Sequence, residues 1–163
     1  MIRAFLEKRR IRRVFEKLVD PEHGKKVLRD GLGRPRLSRA RIEFVVAFVR
    51  GDNPAQVAER IGRVTDVAIT QNAIVHELIG ALVITAFGTR SGSQPESDCR
   101  VSLVRALQQE LAGDIKIVHG AADGHYGLFG SERRMSYSFL VPEFDRVLGN
   151  LSRLGFGESE EFT

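Results

Sequence analysis

Cysteine is nearly absent from this chain. Cys99 is the one thiol in 163 residues, so no internal disulfide can form and no thiolate cluster can hold a structural zinc. Long apolar runs are also missing. No stretch approaches the roughly 18 to 20 apolar residues that cross a bilayer, and the N-terminus alternates Arg with Leu and Phe where a signal segment would be continuously apolar. A soluble, cytoplasmic protein is the expectation. Internal repeats and long low-complexity segments are lacking too, which sets aside solenoid and linker-like architectures.

What remains is enough for one compact domain with a core and a short appendage: 42% of the residues are apolar, in a length typical of a single domain. Charge is unevenly placed. Up to residue 42 there are about 14 Lys and Arg against about 5 Asp and Glu, so the basic character belongs to the N-terminal arm and the remainder is acidic. In that arm, taken as residues 1–38, Phe5, Ile11, Val14, Phe15 and Leu18 recur at three- and four-residue spacing among Arg and Lys, the pattern of an amphipathic helix. Asp20-Pro21 breaks it and starts a second short helix, and Gly31-Leu32-Gly33-Arg34-Pro35 ends it.

Residues 39–163 read as a separate α+β domain. Phe44-Val45-Val46-Ala47-Phe48-Val49 is apolar without alternation, as in a central strand covered on both faces. Gly51-Asp52-Asn53-Pro54 then supplies a turn and helix start, and residues 55–72 carry a crossover helix. A hairpin follows, Ile74–Ile79 and Leu82–Phe87 about Gly80-Ala81. After a Ser/Gly/Pro loop, Ser97 is placed to cap a helix running to Gly113. Short strands are expected at 115–118, 124–129 and 135–141, and Pro142 is expected to open a last helix that Gly155 closes before a polar, acidic tail.

Several features have a functional and a plainer reading. Gly124 to Gly130 is Gly-rich but lacks the Lys-Ser/Thr ending of a phosphate-binding loop, which favours a hairpin turn. His119 and His125, with Asp123 between, fit no recurrent zinc spacing, so surface or turn histidines are favoured. Cys99 lies near a helix start, where amide dipoles favour thiolate, but no His or Lys neighbours it in sequence. Arg9-Arg10 and Arg12-Arg13 suit nucleic acid or an anionic membrane surface, and equally the solvated face of a dimerising helix, which the apolar stripe favours.

Two stretches resemble the class III adenylate and guanylate cyclases. Ile79-Gly80-Ala81-Leu82-Val83-Ile84-Thr85-Ala86-Phe87-Gly88 is similar to the family hairpin F-I-G-D-A-V-M-A-V-F-G. Gly127-Leu128-Phe129-Gly130-Ser131-Glu132-Arg133-Arg134-Met135-Ser136-Tyr137 is similar to its turn G-N-I-G-S-x-x-R-M-x-Y. Arg13-Val14-Phe15-Glu16-Lys17-Leu18-Val19-Asp20-Pro21-Glu22 further resembles the segment preceding many bacterial cyclase domains. The resemblance spans about residues 10 to 155. It implies a ferredoxin-like βαββαβ fold with an N-terminal helical arm, in a chain that ends where the family continues with a further pair of strands.

The same resemblance assigns chemistry to positions that lack it here. Family cyclases hold two metal ions with a pair of aspartates, which ease deprotonation of the ribose hydroxyl and neutralise the triphosphate. Those positions are Phe48 and Ala81, and neither side chain can ligate a hard cation. The base-selecting Lys and Asp fall at Glu77 and Pro142. The transition-state Asn and Arg fall at Asp145 and Gly149, or, in a shifted register, at Asn150 and Arg153 on one helix face. The expectation is a non-catalytic cyclase-like homodimer, binding neither metal nor cofactor and acting as a dimerisation or regulatory module, with a regulatory protein as a further partner. Its rivals are a divergent cyclase using ligands such as Asp52 and Glu77, and a binder of nucleic acid or acidic lipid acting through the arm.

Overall fold

The computed structural model describes residues 37–89, 98–131 and 134–163. The arm residues Phe5, Ile11, Val14, Phe15 and Leu18 lie outside them. The described elements run β1 (Leu37–Val49), α1 (Pro54–Thr70), β2 (Ile74–Ile79), β3 (Leu82–Phe87), α2 (Cys99–Leu111), β4 (Ile115–Ser131), β5 (Arg134–Leu140), α3 (Phe144–Arg153) and β6 (Ser159–Phe162).

The strands form one sheet in the order β2-β3-β1-β4-β5, with β6 also paired to β4. Its first four strands have the order and antiparallel pairing of a split βαβ pair, the ferredoxin-like arrangement. β1 is central because it is covered on both faces: Ile42 and Phe44 through Ala47 are all at most 1% exposed, which accounts for its unbroken apolar run. Alternate residues feed two cores. Val45, Ala47 and Val49 pack with Val64 and Ala68 of α1 and Leu103, Leu107 and Leu111 of α2. Ile42, Phe44 and Val46 pack on the other face with Phe139, Val141 and, from α3, Val147 and Leu151. Each fully buried aliphatic or aromatic side chain contributes about 1.5–3 kcal/mol.

Local chemistry sets the element ends. The Asn53 side chain accepts a hydrogen bond from the Gln56 amide at 3.0 Å, with Pro54 in the first turn, so α1 begins with a satisfied cap. The β2–β3 hairpin turns at Gly80, whose φ of 59° is left-handed.

Four expectations need correction. The stretch 115–131 is one 17-residue strand, not two short ones. Gly124 to Gly130 therefore lies within β4 and is no turn: a Cβ at Gly124 would stand 2.4 Å from the Leu140 carbonyl oxygen, so Gly is needed there for close strand approach. α3 begins at Phe144, because Glu143 adopts a left-handed conformation (φ 59°) after Pro142. The acidic tail contains β6, which adds to β4 in parallel from Ile117↔Ser159 to Gly120↔Phe162. Two consecutive Glu residues precede the one apolar residue of β6, Phe162, whose ring lies 6.2 Å from that of Phe44. No helix among the described residues is long and apolar enough to cross a membrane.

Candidate functional site

Phe48 sits near the end of β1, opposite Leu82 on β3 and opposite Lys116 on β4. The next amide, Val49, donates to the carbonyl of Ala81 at 3.0 Å. The two positions that the cyclase resemblance assigns to metal aspartates are thus neighbours at one end of the sheet. Their side chains part: Phe48 joins the core on the α3 side, Ala81 the one beneath α1 and α2.

The groups around Phe48 are aromatic and cationic. Its ring lies 6.3 Å from that of Phe156. The Lys116 ammonium is 5.4 Å from the Phe48 centroid and 5.6 Å from that of Phe156, and the Arg50 guanidinium is 5.0 Å from the latter. Arg50 also binds Asp114 Oδ1 through Nε and Nη2, at 3.2 and 2.8 Å, while Arg60 reaches Oδ2 at 2.6 Å. The Arg50 hydrogen bond, joined by the positive charges of Arg60, Arg50 and Arg63, holds the pKa of the Asp114 carboxyl below its ordinary value. A divalent ion needs carboxylate oxygen. Here it would meet a phenyl ring, a methyl group and an ammonium, so the residues present do not fit a metal.

The other positions are scattered. Glu77 is half-buried on β2 beside a bulge, opposite Ile84. Pro142 and Asp145 are exposed at the start of α3. Asp52 is exposed in the β1–α1 turn, where its backbone amide donates to Gln56 Oε1. Among the described residues no three His, Cys, Asp or Glu side chains group as metal ligands.

Gly149, Asn150 and Arg153 line one groove of about 570 Å³ between α3 and β6. The Arg153 guanidinium donates to Asn150 Oδ1, and the Asn150 amide donates to Glu160 Oε1 at 2.7 Å. The shifted-register pair therefore does share a helix face, as the spacing requires, and β6 supplies a carboxylate to it.

Pattern reading missed a polar cluster under the N-terminus of α2. Arg100, 11% exposed, meets His119 Nδ1 on β4, donates to Glu161 of β6 at 2.6 Å and lies 3.8 Å from the buried Glu43 of β1. His119 is accordingly half-buried on a strand and not a surface or turn residue; burial, then the Arg100 charge, pushes its pKa down. Burial pushes Glu43 up, against the pull of Arg100. The one available signal was Glu43, set between Ile42 and the apolar run that starts at Phe44. Cys99, the first residue of α2, is half-buried against the α1/α2 core.

No family model matches the sequence, and no curated protein matches it. Solved structures do. The adenylyl cyclase CyaB from P. aeruginosa superposes with a TM-score of 0.66 at 15% identity, over 77% of this chain and 78% of that one. A bacterial light-regulated adenylyl cyclase gives 0.66 at 17%, over 92% of this chain and 51% of that one. A non-canonical dimeric guanylyl cyclase domain of the RhoGC fusion protein from the aquatic fungus Blastocladiella emersonii gives 0.62 at 8%, over 76% and 80%. With the sheet order and helix placement above, these likenesses establish that the chain has the fold of the class III adenylyl and guanylyl cyclase catalytic domains.

Proposed function

We propose that this chain is a non-catalytic cyclase-like domain that serves as a dimerisation or regulatory module in signalling. Residues 39–163 form the module, and the amphipathic arm at 1–38 pairs with a second copy. The observation that carries this reading is the adjacency of Phe48 and Ala81 at one end of a cyclase-type sheet, with Lys116 beside Phe48. Two-metal chemistry needs oxygen ligands that neutralise and orient the ions, and this position offers hydrocarbon and fixed positive charge. The dimeric guanylyl cyclase domain among the structural neighbours supports pairing of such domains.

The test is incubation of the purified chain with ATP and GTP, each with Mg²⁺ and Mn²⁺, measuring cyclic product together with mass in solution. The expected result is a dimer that forms no cyclic nucleotide. Metal-dependent product would overturn the reading in favour of a divergent cyclase, and a monomer at all concentrations would remove the dimerisation role.

A further inference from the structure

We propose that β6 is a proton-operated latch: it stays docked on β4 while Arg100 donates to a neutral His119, and a proton taken up on His119 Nδ1 frees it. The device is independent of whether the domain turns over nucleotide. A guanidinium has no lone pair to offer, so in the 2.5 Å contact between Arg100 Nη1 and His119 Nδ1 the imidazole is the acceptor. That contact requires the neutral tautomer with its hydrogen on Nε2. The same guanidinium donates through Nη2 to Glu161 Oε1 at 2.6 Å. Glu161 is the residue of β6 that pairs with His119 in register. Glu43 Oε2 of β1 stands 3.8 Å from Arg100 Nε, and neither of those two atoms makes a hydrogen bond. Arg100 thus hydrogen-bonds an imidazole and a β6 carboxylate at once, and it can keep both only while the imidazole is unprotonated.

Little apolar surface holds β6. Four of its residues pair with β4, and Phe162 alone among them is apolar. The rest of the grip is polar: Gln108 of α2 donates to Ser159 at 3.0 Å, and Asn150 of α3 donates to Glu160 at 2.7 Å. Arg100, in contrast, is rooted in the first turn of α2 with 11% of its side chain exposed, so a charge set against it is poorly screened. A proton on Nδ1 would face the Arg100 fork at hydrogen-bond distance. Relief comes from moving the least anchored part, which is β6 with Glu161. The charged groups facing the imidazole are Arg100 from α2, Glu161 from β6 and Glu43 from β1, with Asp98 and Arg41 acting on Glu43. Burial and the Arg100 charge both favour neutral His119, and Glu161 opposes them. Release uncovers the β4 edge from Ile117 to Gly120 and the Phe44 ring, which is fully buried with β6 in place. Gly120 shows how closely the strands lie, since a Cβ there would stand 2.9 Å from the Phe162 carbonyl oxygen. A fall in pH is thereby converted into an open strand edge and an apolar surface on the central strand.

The experiment is hydrogen–deuterium exchange of the full chain in a series from about pH 8 down to about pH 5, corrected for the intrinsic pH dependence of exchange. Protection of β6 and of residues 117–120 should fall about tenfold in acid, the loss of one charge-assisted contact, while α1 and β3 keep theirs. His119→Gln, whose amide oxygen can accept from Arg100 but takes up no proton, should hold β6 equally across the series. Glu161→Gln should loosen β6 throughout and flatten its pH dependence. In the parent chain the midpoint of release should coincide with the titration of His119 followed by NMR at its ring Cε1 proton, a check that needs no variant. A mismatch of the two midpoints would overturn the proposal, as would release that persists in His119→Gln. Protection of β6 that rises in acid would overturn it by showing protonated His119 paired with Glu161. Loss spread evenly over the sheet would overturn it in favour of global acid unfolding, and protection unchanged across the series would overturn it outright.

Discussion

Replacing Phe48 and Ala81 by aspartate together (F48D/A81D) puts carboxylates at two positions whose main chains adjoin, one on β1 and one in the β2–β3 turn, and should create a divalent-ion site that the parent chain lacks. This requires the shorter polar side chains to leave the separate cores that Phe48 and Ala81 enter and to turn toward the open end of the sheet. The cost follows from the contacts. Truncating a fully buried Phe costs about 3–5 kcal/mol. The Phe48 ring is half-buried, against Phe156 and Lys116, so its loss should cost about 2 kcal/mol. A carboxylate beside Lys116 recovers at most about 1 kcal/mol. The Ala81 carbonyl bond to the Val49 amide is main-chain and survives. The net loss is about 1–2 kcal/mol, a fall of several degrees in Tm for a domain of this size. Urea unfolding with and without Mn²⁺ reads the gain, because an ion at a hundredfold excess over its Kd stabilises the folded state by about 2.7 kcal/mol. The double variant should gain stability from Mn²⁺ and the parent should not. If Mn²⁺ stabilises both alike, the missing carboxylates do not govern metal binding and their placement at Phe48 and Ala81 is wrong. If it stabilises neither, the two carboxylates stay on the separate faces that Phe48 and Ala81 now occupy and do not meet at one ion.

Gly124→Ala should destabilise by about 1–3 kcal/mol in equilibrium unfolding, since the added methyl would stand 2.4 Å from the Leu140 carbonyl oxygen and 2.9 Å from Val141 Cγ1; a neutral result would contradict the β4–β5 packing. Gly149→Ala should instead stabilise by about 0.5–1 kcal/mol, because a Cβ there meets nothing within 4 Å and the position is inside α3. For pH, His119 has a folded-state pKa below its ordinary 6.5, through burial and then Arg100, with Glu161 opposing. The folded state therefore takes up fewer protons than the unfolded chain as pH falls, and the neutral imidazole's contribution is complete above 6.5 and lost as pH drops through 6.5 toward the lowered value. His119→Gln should remove that part of the slope in urea midpoints measured across this range, and superimposable parent and variant profiles would refute the assignment. Glu43, its pKa raised by burial, acts in the opposite sense: below its folded-state value, stability grows as pH falls toward 4.5.

The central strand, the crossover helix and the β2–β3 hairpin were legible because each declares itself locally. An apolar run means two covered faces, Asn53-Pro54 is a helix start, and Gly80 supplies a left-handed turn residue. The candidate site was legible only as positions along the chain. Asp114, Lys116 and Phe156 carried no motif, because their relation to Phe48 and Arg50 is made by strand pairing and by the return of the chain after α3. β6 escaped notice for the same reason. A strand of four residues rich in Glu has no propensity signal of its own, and it forms because β4 leaves an edge there and Phe162 finds Phe44 across it.

What the residues by themselves determined was the central strand, the crossover helix and the β2–β3 hairpin, and the absence of acid at Phe48 and Ala81, since side-chain chemistry at a position does not depend on the fold. What only the tertiary structure decided was which charges stand together. Lys116 faces two phenyl rings with no carboxylate partner among the described residues, Asp114 is divided between two arginines, and Glu160 takes up Asn150. Those pairings join residues far apart in the chain through sheet register and helix docking, and they arise only once the whole sheet has formed.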